Sequence, residues 1–222
     1  MTKDISIIIP AAAISGIKSC LNKSLIGLTE KQTVIEYQQH ILRREFPSAE
    51  LIFVVGHDAD KIMAKLKPGS IAVENENHAT TNVVRSIGMG LRATTKQDVM
   101  IVYGDLIFNA AALRLGDNSC VAIDKHARLR STEVGVTVVD GRATQLAYGL
   151  KTKWAQILFL TGRELESFKG IVWDRKHSRW FGFEAINELI EDVGPLRAVE
   201  PRNMLLVEID EFKDIEKARK IL

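Results

Sequence analysis

ISIIIPAAAISGIKSCLNK, residues 5–23, begins as a near-continuous run of β-branched apolar residues and breaks at Pro10 into an alanine-rich loop carrying two lysines. A run without polar alternation is the pattern of a strand buried on both faces, as parallel strands covered by helices are. The segments that follow keep this style. TVIEYQQHILRRE (33–45) places Val34, Tyr37, Ile41 and Leu42 on one helical face, and LIFVVG (51–56) is a second buried-strand run. DADKIMAKL (58–66) reads as a helix with Asp58 as its cap. SIAVEN (70–75), TTNVVRSIGMGLRAT (80–94) and DVMIVYGD (98–105) continue as strand, helix and strand. Such alternation predicts βαβ units and a mainly parallel sheet.

The style changes near residue 119. EVGVTVVDGRATQLAYG (133–149) sets Asp140-Gly141 between two alternating segments, a strong hairpin signal. WAQILFLTG (154–162) predicts a strand and RELESF (163–168) a helix; FGFEAINELIEDVG (181–194) predicts a helix ended by Gly194-Pro195. MLLVEID (204–210) and EFKDIEKARKIL (211–222) close the chain as strand and helix. The expected architecture is a three-layer α/β/α sandwich with a mixed, mainly parallel sheet and an antiparallel insert in its second half. All 222 residues form one domain, since no repeat or linker divides them.

Composition narrows the partners. Thirty basic and 28 acidic side chains leave a net charge of +2, and the basic residues are scattered. A nucleic-acid binder shows a basic stripe, so a polymer of phosphates is excluded while a small phosphorylated ligand is not. Cys20 and Cys120 have no metal-ligand spacing and read as reduced thiols of a cytoplasmic protein. Ile5–Ile17 resembles the apolar core of a signal peptide, but Asp4, Pro10 and Lys18 disrupt it and no cleavage site follows. No stretch reaches the length of a membrane span. His40, His57, His78, His126 and His177 lack zinc-site spacing.

Three places carry candidate chemistry, all where strands stop. In the opening loop Ala11, Ala12 and Ala13 leave the backbone N–H groups uncovered, Gly16 frees the turn, and Lys18 and Lys23 add positive charge for phosphate oxygens. The glycine-rich dinucleotide and triphosphate fingerprints are absent. Asp105 follows Gly104 at the end of a strand expected to be central, where a carboxylate must be paired, hydrogen-bonded or metal-bound. A cap for a helix beginning near residue 109 is the alternative. Asp210 ends the last apolar strand, with Asp214 one turn on, and there too a helix cap is the competing reading.

In order, PAAAISGIK, Asn22-Lys23, Gly104-Asp105 and EIDEFKDIEKA resemble the motifs of the sugar-phosphate nucleotidyltransferase superfamily, whose fold is GT-A-like. VENENHATTNVVRSI (73–87) is similar to the base-proximal segment of its bacterial choline-phosphate cytidylyltransferase branch, with Asn75, Ala79, Asn82 and Ser86 in register. The resemblance implies transfer of a nucleoside monophosphate, CMP favoured, from a nucleoside triphosphate such as CTP to a small phosphorylated acceptor. It implies Mg²⁺ on Asp105 and Asp210, Lys23 at the α-phosphate, and Lys18 near the β- and γ-phosphates. Asn75, Asn82 and Ser86 would read the base beside the opening loop and Gly104. Residues 1–118 then take the nucleotide and 119–222 the acceptor. Tyr148, Trp154, Trp173 and Trp180 with Glu164 could cage a quaternary ammonium or provide a platform for a sugar phosphate. No nucleic acid or membrane partner is expected, and the state is monomer or homodimer. The chain departs from the motifs at Ala13, where a glycine is usual, and at Asn22, where a proline is usual. A glycosyltransferase binding a finished nucleotide sugar, or a nucleotide-binding module without catalysis, are the alternatives.

Overall fold

A computed structural model describes residues 4–13 and 22–222. The opening run is β1 (Ile5–Pro10), buried along its whole length. Short β2 (Gly27–Thr29) and β3 (Gln32–Thr33) lead into α1 (Val34–Glu45), β4 (Glu50–Val55) and α2 (Ala59–Met63). Next come β5 (Ser70–Glu74), α3 (Val83–Arg92), β6 (Asp98–Val102), β7 (Leu106–Phe108) and β8 (Cys120–Asp124). The second half adds β9 (Val134–Val139), β10 (Arg142–Tyr148), β11 (Thr152–Leu160), α4 (Gly162–Trp173) and α5 (Gly182–Val193). It closes with β12 (Leu196–Val199), β13 (Leu206–Glu208) and α6 (Phe212–Arg219).

Nine strands form one sheet in the order β5-β4-β1-β6-β11-β8-β12-β10-β9. β5, β4, β1 and β6 are mutually parallel, as the βαβ reading requires. β11 then enters antiparallel to both β6 and β8, and the β9–β10 hairpin finishes the far edge. Short β8 and β12, which pair in parallel, have no separate counterpart among the sequence expectations. Side chains alternate across the sheet. Ile5, Ile7 and Ile9 join α1, α2 and α6 in one core, while Ile8 joins α3, α4 and α5 in the other. Two apolar cores around one sheet give the three layers. Among the described residues no helix is long and apolar enough to cross a membrane.

Two expectations need correction. Residues 98–105 are not all strand: sheet pairing ends at Val102, and Tyr103, Gly104 and Asp105 turn out of it. MLLVEID (204–210) is strand only over β13, Leu206–Glu208, which pairs antiparallel with β7 in a ribbon separate from the main sheet. That ribbon is what carries the end of the chain back to the turn after β6, where Ile209 N donates to Asp105 O at 2.9 Å.

Helix α3 lies close against α4. A Cβ built on Gly88 would stand 2.7 Å from the carbonyl oxygen of Val172, a backbone atom that cannot step aside. Replacing glycine by alanine inside a helix ordinarily stabilises it by up to about 1 kcal/mol. Here overpacking, typically about 1–3 kcal/mol, should win. Gly88→Ala is therefore expected to lower the urea midpoint, and an unchanged or raised midpoint would show that the α3–α4 contact is looser than described.

Candidate active site

The turn after β6, the β7–β13 ribbon and the end of the opening loop meet at one point. Lys23 begins a single 3-10 turn, Lys23–Leu25, whose cap is Asn22. Asn22 Oδ1 accepts from Ser24 N at 3.0 Å, and Ser24 Oγ donates to Gly104 O at 2.9 Å, tying this turn to the end of β6. Asn22 Nδ2 lies 2.7 Å from Ala11 O, 3.1 Å from His57 O and 3.2 Å from Ala13 O. The asparagine at the usual proline position thus holds the start of the loop against the loop after β4. Asp58, expected to cap α2, does not do so with its side chain; at φ 58° it accepts instead from Asn22 N at 3.1 Å and from Lys61 Nζ at 2.7 Å. Ala12 contributes its carbonyl to His57 N at 3.1 Å. Gly16 and Lys18, with Cys20, lie outside the described residues.

Held this way, Lys23 Nζ stands 3.0 Å from Asp105 Oδ2 and 2.6 Å from Asp210 Oδ1. Burial works against the ammonium charge, but the two carboxylates outweigh it and hold the amine above the ordinary lysine range. Neither aspartate serves as a helix cap. The 3-10 turn after β7 is capped by Asn109, which accepts from Ala112 N at 3.3 Å, and the N-cap of α6 is Glu211, whose backbone N donates to Asp214 in the first turn at 3.1 Å.

A third carboxylate joins them. Asp105, Glu208 and Asp210 each present an oxygen within 4.8 Å of the others. Burial pushes Glu208 up to about 7, and repulsion from Asp105 and Asp210 adds to it; Gln156 and Lys153 act in the opposite sense. Hard oxygen donors at this spacing suit Mg²⁺, so Asp105, Asp210 and Glu208 fit such an ion. Glu208 was missing from the sequence expectations. The signal that could have found it is the two-residue step from Glu208 to Asp210 in an extended segment, which puts both side chains on one face.

Around this cluster lies a cavity of about 330 Å³. Lys23, Asp105 and Glu208 line it, with Ala11, Ala13 and Gly104; Tyr103, Tyr148, Trp154, Phe181 and Phe183 supply aromatic faces. Tyr103 meets Trp154 edge-on at 5.5 Å, and Phe183 meets Tyr148 at 5.3 Å and Phe181 at 6.0 Å. A Cβ on Gly104 would fall 2.7 Å from Pro10 O, so glycine there lets β1 and the turn after β6 approach. A second cavity of about 310 Å³ is walled by Ala12, Ala13, Asn75, His78, Asn82 and Ser86 among others. Asn75 Nδ2 donates to Ser86 Oγ and Thr81 Oγ1, each at 3.1 Å, and Asn82 Oδ1 accepts from Val83 N at 2.8 Å as the cap of α3. The two cavities share Pro10, Ala13, Asn82 and Val83 as walls.

Three expected acceptor residues are not brought to either cavity. Trp173 Nε1 donates to Gly88 O at 3.0 Å and its ring lies under Arg92, on the α3–α4 side. Trp180 stacks on His177 at 3.6 Å, and Glu164 accepts from Ser119 Oγ at 3.2 Å. Phe181, Phe183 and Tyr103 provide the aromatic surface instead. Phe181 and Phe183 escaped notice because the residues just before and within the first turn of α5 carry no periodic signal for where they point, and Tyr103 because it was read as part of the strand 98–105.

No sequence-family model matches the chain, and no curated protein does. Solved structures do. A CTP:phosphocholine cytidylyltransferase from Streptococcus pneumoniae superposes with a TM-score of 0.77 at 16% identity, covering 99% of both chains. The inositol-1-phosphate CTP transferase from T. maritima gives 0.78 at 15% identity, covering 97% of this chain and 95% of that one. A nucleoside-diphosphate-sugar pyrophosphorylase from Vibrio cholerae RC9 gives 0.73 at 13% identity over 96% and 99%. The chain has the nucleotidyltransferase fold. Within that fold the cluster of Lys23, Asp105, Glu208 and Asp210 lies beyond the carboxyl end of β6, the side on which open α/β sheets bind ligands.

The Glu208 carboxyl holds its proton up to about pH 7 when folded, whereas in the unfolded chain it releases it near 4.5. Stability must then fall as pH rises through that window. Glu208→Gln is expected to remove this slope and to be the more stable protein above pH 7 without divalent cations. Urea unfolding in EDTA across pH 5 to 8 measures the difference; a wild type that gains on the variant as pH rises would contradict it.

Proposed function

We propose that this chain is a Mg²⁺-dependent nucleotidyltransferase that moves a nucleoside monophosphate, CMP favoured, from a nucleoside triphosphate to a small phosphorylated acceptor. The observation that carries this reading is Lys23 between Asp105 and Asp210 at a cavity that shares walls with a second one. Two adjoining cavities suit two substrates, and a shared cationic and anionic cluster suits the phosphates that must meet.

A phosphate oxygen of the acceptor attacks the α-phosphorus in line; the new P–O bond forms as the bond to pyrophosphate breaks, and pyrophosphate leaves with that electron pair. Such a transfer needs positioning and charge neutralisation more than covalent help from the protein. Lys23 neutralises the charge that builds around the α-phosphate. Asp105, Asp210 and Glu208 would hold Mg²⁺, which when bound supplies further neutralisation of phosphate oxygens. Ala12 and Ala13 let backbone approach the triphosphate, with Gly16 and Lys18 assigned there by resemblance, whereas the expected N–H groups of Ala11 and Gly104 are already donated to Val54 O at 2.8 Å and Pro10 O at 3.2 Å. Asn75, Asn82 and Ser86 form the base side, all from the first half of the chain, 1–118.

The acceptor side is the aromatic lining of the larger cavity. Tyr148 and Trp154, now with Tyr103, Phe181 and Phe183, offer aromatic faces suited to a cationic head group such as that of phosphocholine. CTP is favoured by the resemblance of residues 73–87 and by the similar structures named for CTP with phosphocholine and with inositol-1-phosphate. A sugar phosphate would use the same aromatic faces.

Incubation with CTP, UTP, GTP or dTTP against phosphocholine and sugar 1-phosphates, with Mg²⁺, should release pyrophosphate for at least one pair, CTP with phosphocholine first. Silence from every pair with folded protein refutes the reading. Lys23→Met should lower kcat about 10²–10³-fold, the usual cost of one lost preorganised charge partner. Phe183→Ala should act mainly on KM for the acceptor, leaving KM for the triphosphate nearly unchanged.

A further inference from the structure

Arg130 lies in the loop between β8 and β9 and has no place in the scheme above. Its Nη2 is 2.8 Å from Asp214 Oδ2, and its Nη1 is 3.6 Å from Asp210 Oδ2 and 3.8 Å from Glu211 Oε1. Asp214 is fully buried, and its Oδ2 also accepts from the backbone nitrogens of Asp210 at 3.3 Å and Glu211 at 3.1 Å. Asp210 is thus addressed from both sides, Oδ1 by Lys23 at 2.6 Å and Oδ2 by Arg130, while Asp214 holds the backbone beneath it. On its other side the Arg130 backbone N donates to Glu133 Oε2 at 2.5 Å, and Thr132, Glu133 and Val134 line the larger cavity. Glu133 in turn pairs with Lys153, whose Nζ is 3.6 Å from Glu208 Oε2.

We infer that Arg130 is a positioning residue that orients the Asp210 carboxylate and links it to the acceptor-side wall of the cavity. This rests on the reading of Asp210 as a metal-holding carboxylate. Asp214 neutralises the guanidinium at the shorter distance, so the pair brings little net charge to the site; what it supplies is direction. Groups that hold a metal ligand from behind typically change metal affinity about 10–100-fold when removed. A lysine cannot replace this fork, since one ammonium meets Asp214 or Asp210 but does not span both as a planar guanidinium does.

The test is Mn²⁺ binding by the full chain at neutral pH, followed by electron paramagnetic resonance, with Tm recorded for each variant. Arg130→Lys should keep Tm near wild type by pairing with buried Asp214, yet weaken Mn²⁺ binding by about tenfold or more. Arg130→Met should weaken it further, and if it fails to fold, Arg130→Lys alone decides. Lys217→Met is the control. It removes the partner of Asp214 Oδ1, at 3.0 Å, without touching Asp210, and should lower Tm while leaving Mn²⁺ affinity unchanged. Wild-type affinity in both Arg130 variants, or losses that simply follow Tm across all three variants, would overturn the role of Arg130 while leaving the metal reading intact. A wild type that binds no Mn²⁺ would remove the metal reading, and the role of Arg130 with it.

Discussion

An ammonium group held between two carboxylates at the end of a buried sheet organises this molecule. Lys23, Asp105 and Asp210 come from three separate segments, and none of their charges could be withdrawn from water alone without a large penalty. Their pairing therefore obliges the opening loop, the turn after β6 and the β7–β13 ribbon to close on one another. Asn22 makes the first of these closures by bridging three backbone carbonyls, and Gly104 permits the second by leaving room for Pro10 O.

Charges are layered outward from that centre. Glu208 clings to its proton because it is buried, and because Asp105 and Asp210 add an acidic patch that Lys23 only partly balances. Behind them Lys153 meets Glu133, and Arg130 and Lys217 share buried Asp214, so the positive charge around the cluster is already engaged by acids. Three carboxylates against one ammonium leave an excess of negative charge at the centre, which is the condition a divalent cation would relieve. The Lys153 bridge also connects Glu133, in the wall of the larger cavity, to Glu208 at the end of β13.

Much of this was legible along the chain. The buried strands β1, β4 and β6 and the helices α1, α3 and α5 follow from apolar periodicity, and Asp140-Gly141 marks the hairpin. Asp105 and Asp210 stood out because acids that end apolar strands need partners, and Lys23 because it adds positive charge to the opening loop. Glu208 did not, since an acid alternating with Val207 and Ile209 looks like the wet face of an ordinary strand. The aromatic residues misled in a similar way: Trp154 reaches the cavity while Trp173 and Trp180 pack on α3 and on His177, and nothing local separates the three.

What the sequence determined by itself was the set of elements, their burial and the residues that could not remain unpaired, because these depend on hydrogen-bond geometry and hydrophobicity over a few neighbouring positions. What the tertiary structure decided was which of them meet. Lys23 finds Asp105 across 82 positions and Asp210 across 187, and those distances close only when the ribbon of β7 and β13 folds back over the end of the sheet. Pairing of that ribbon outside the main sheet is set by packing between distant segments, and no local pattern encodes it.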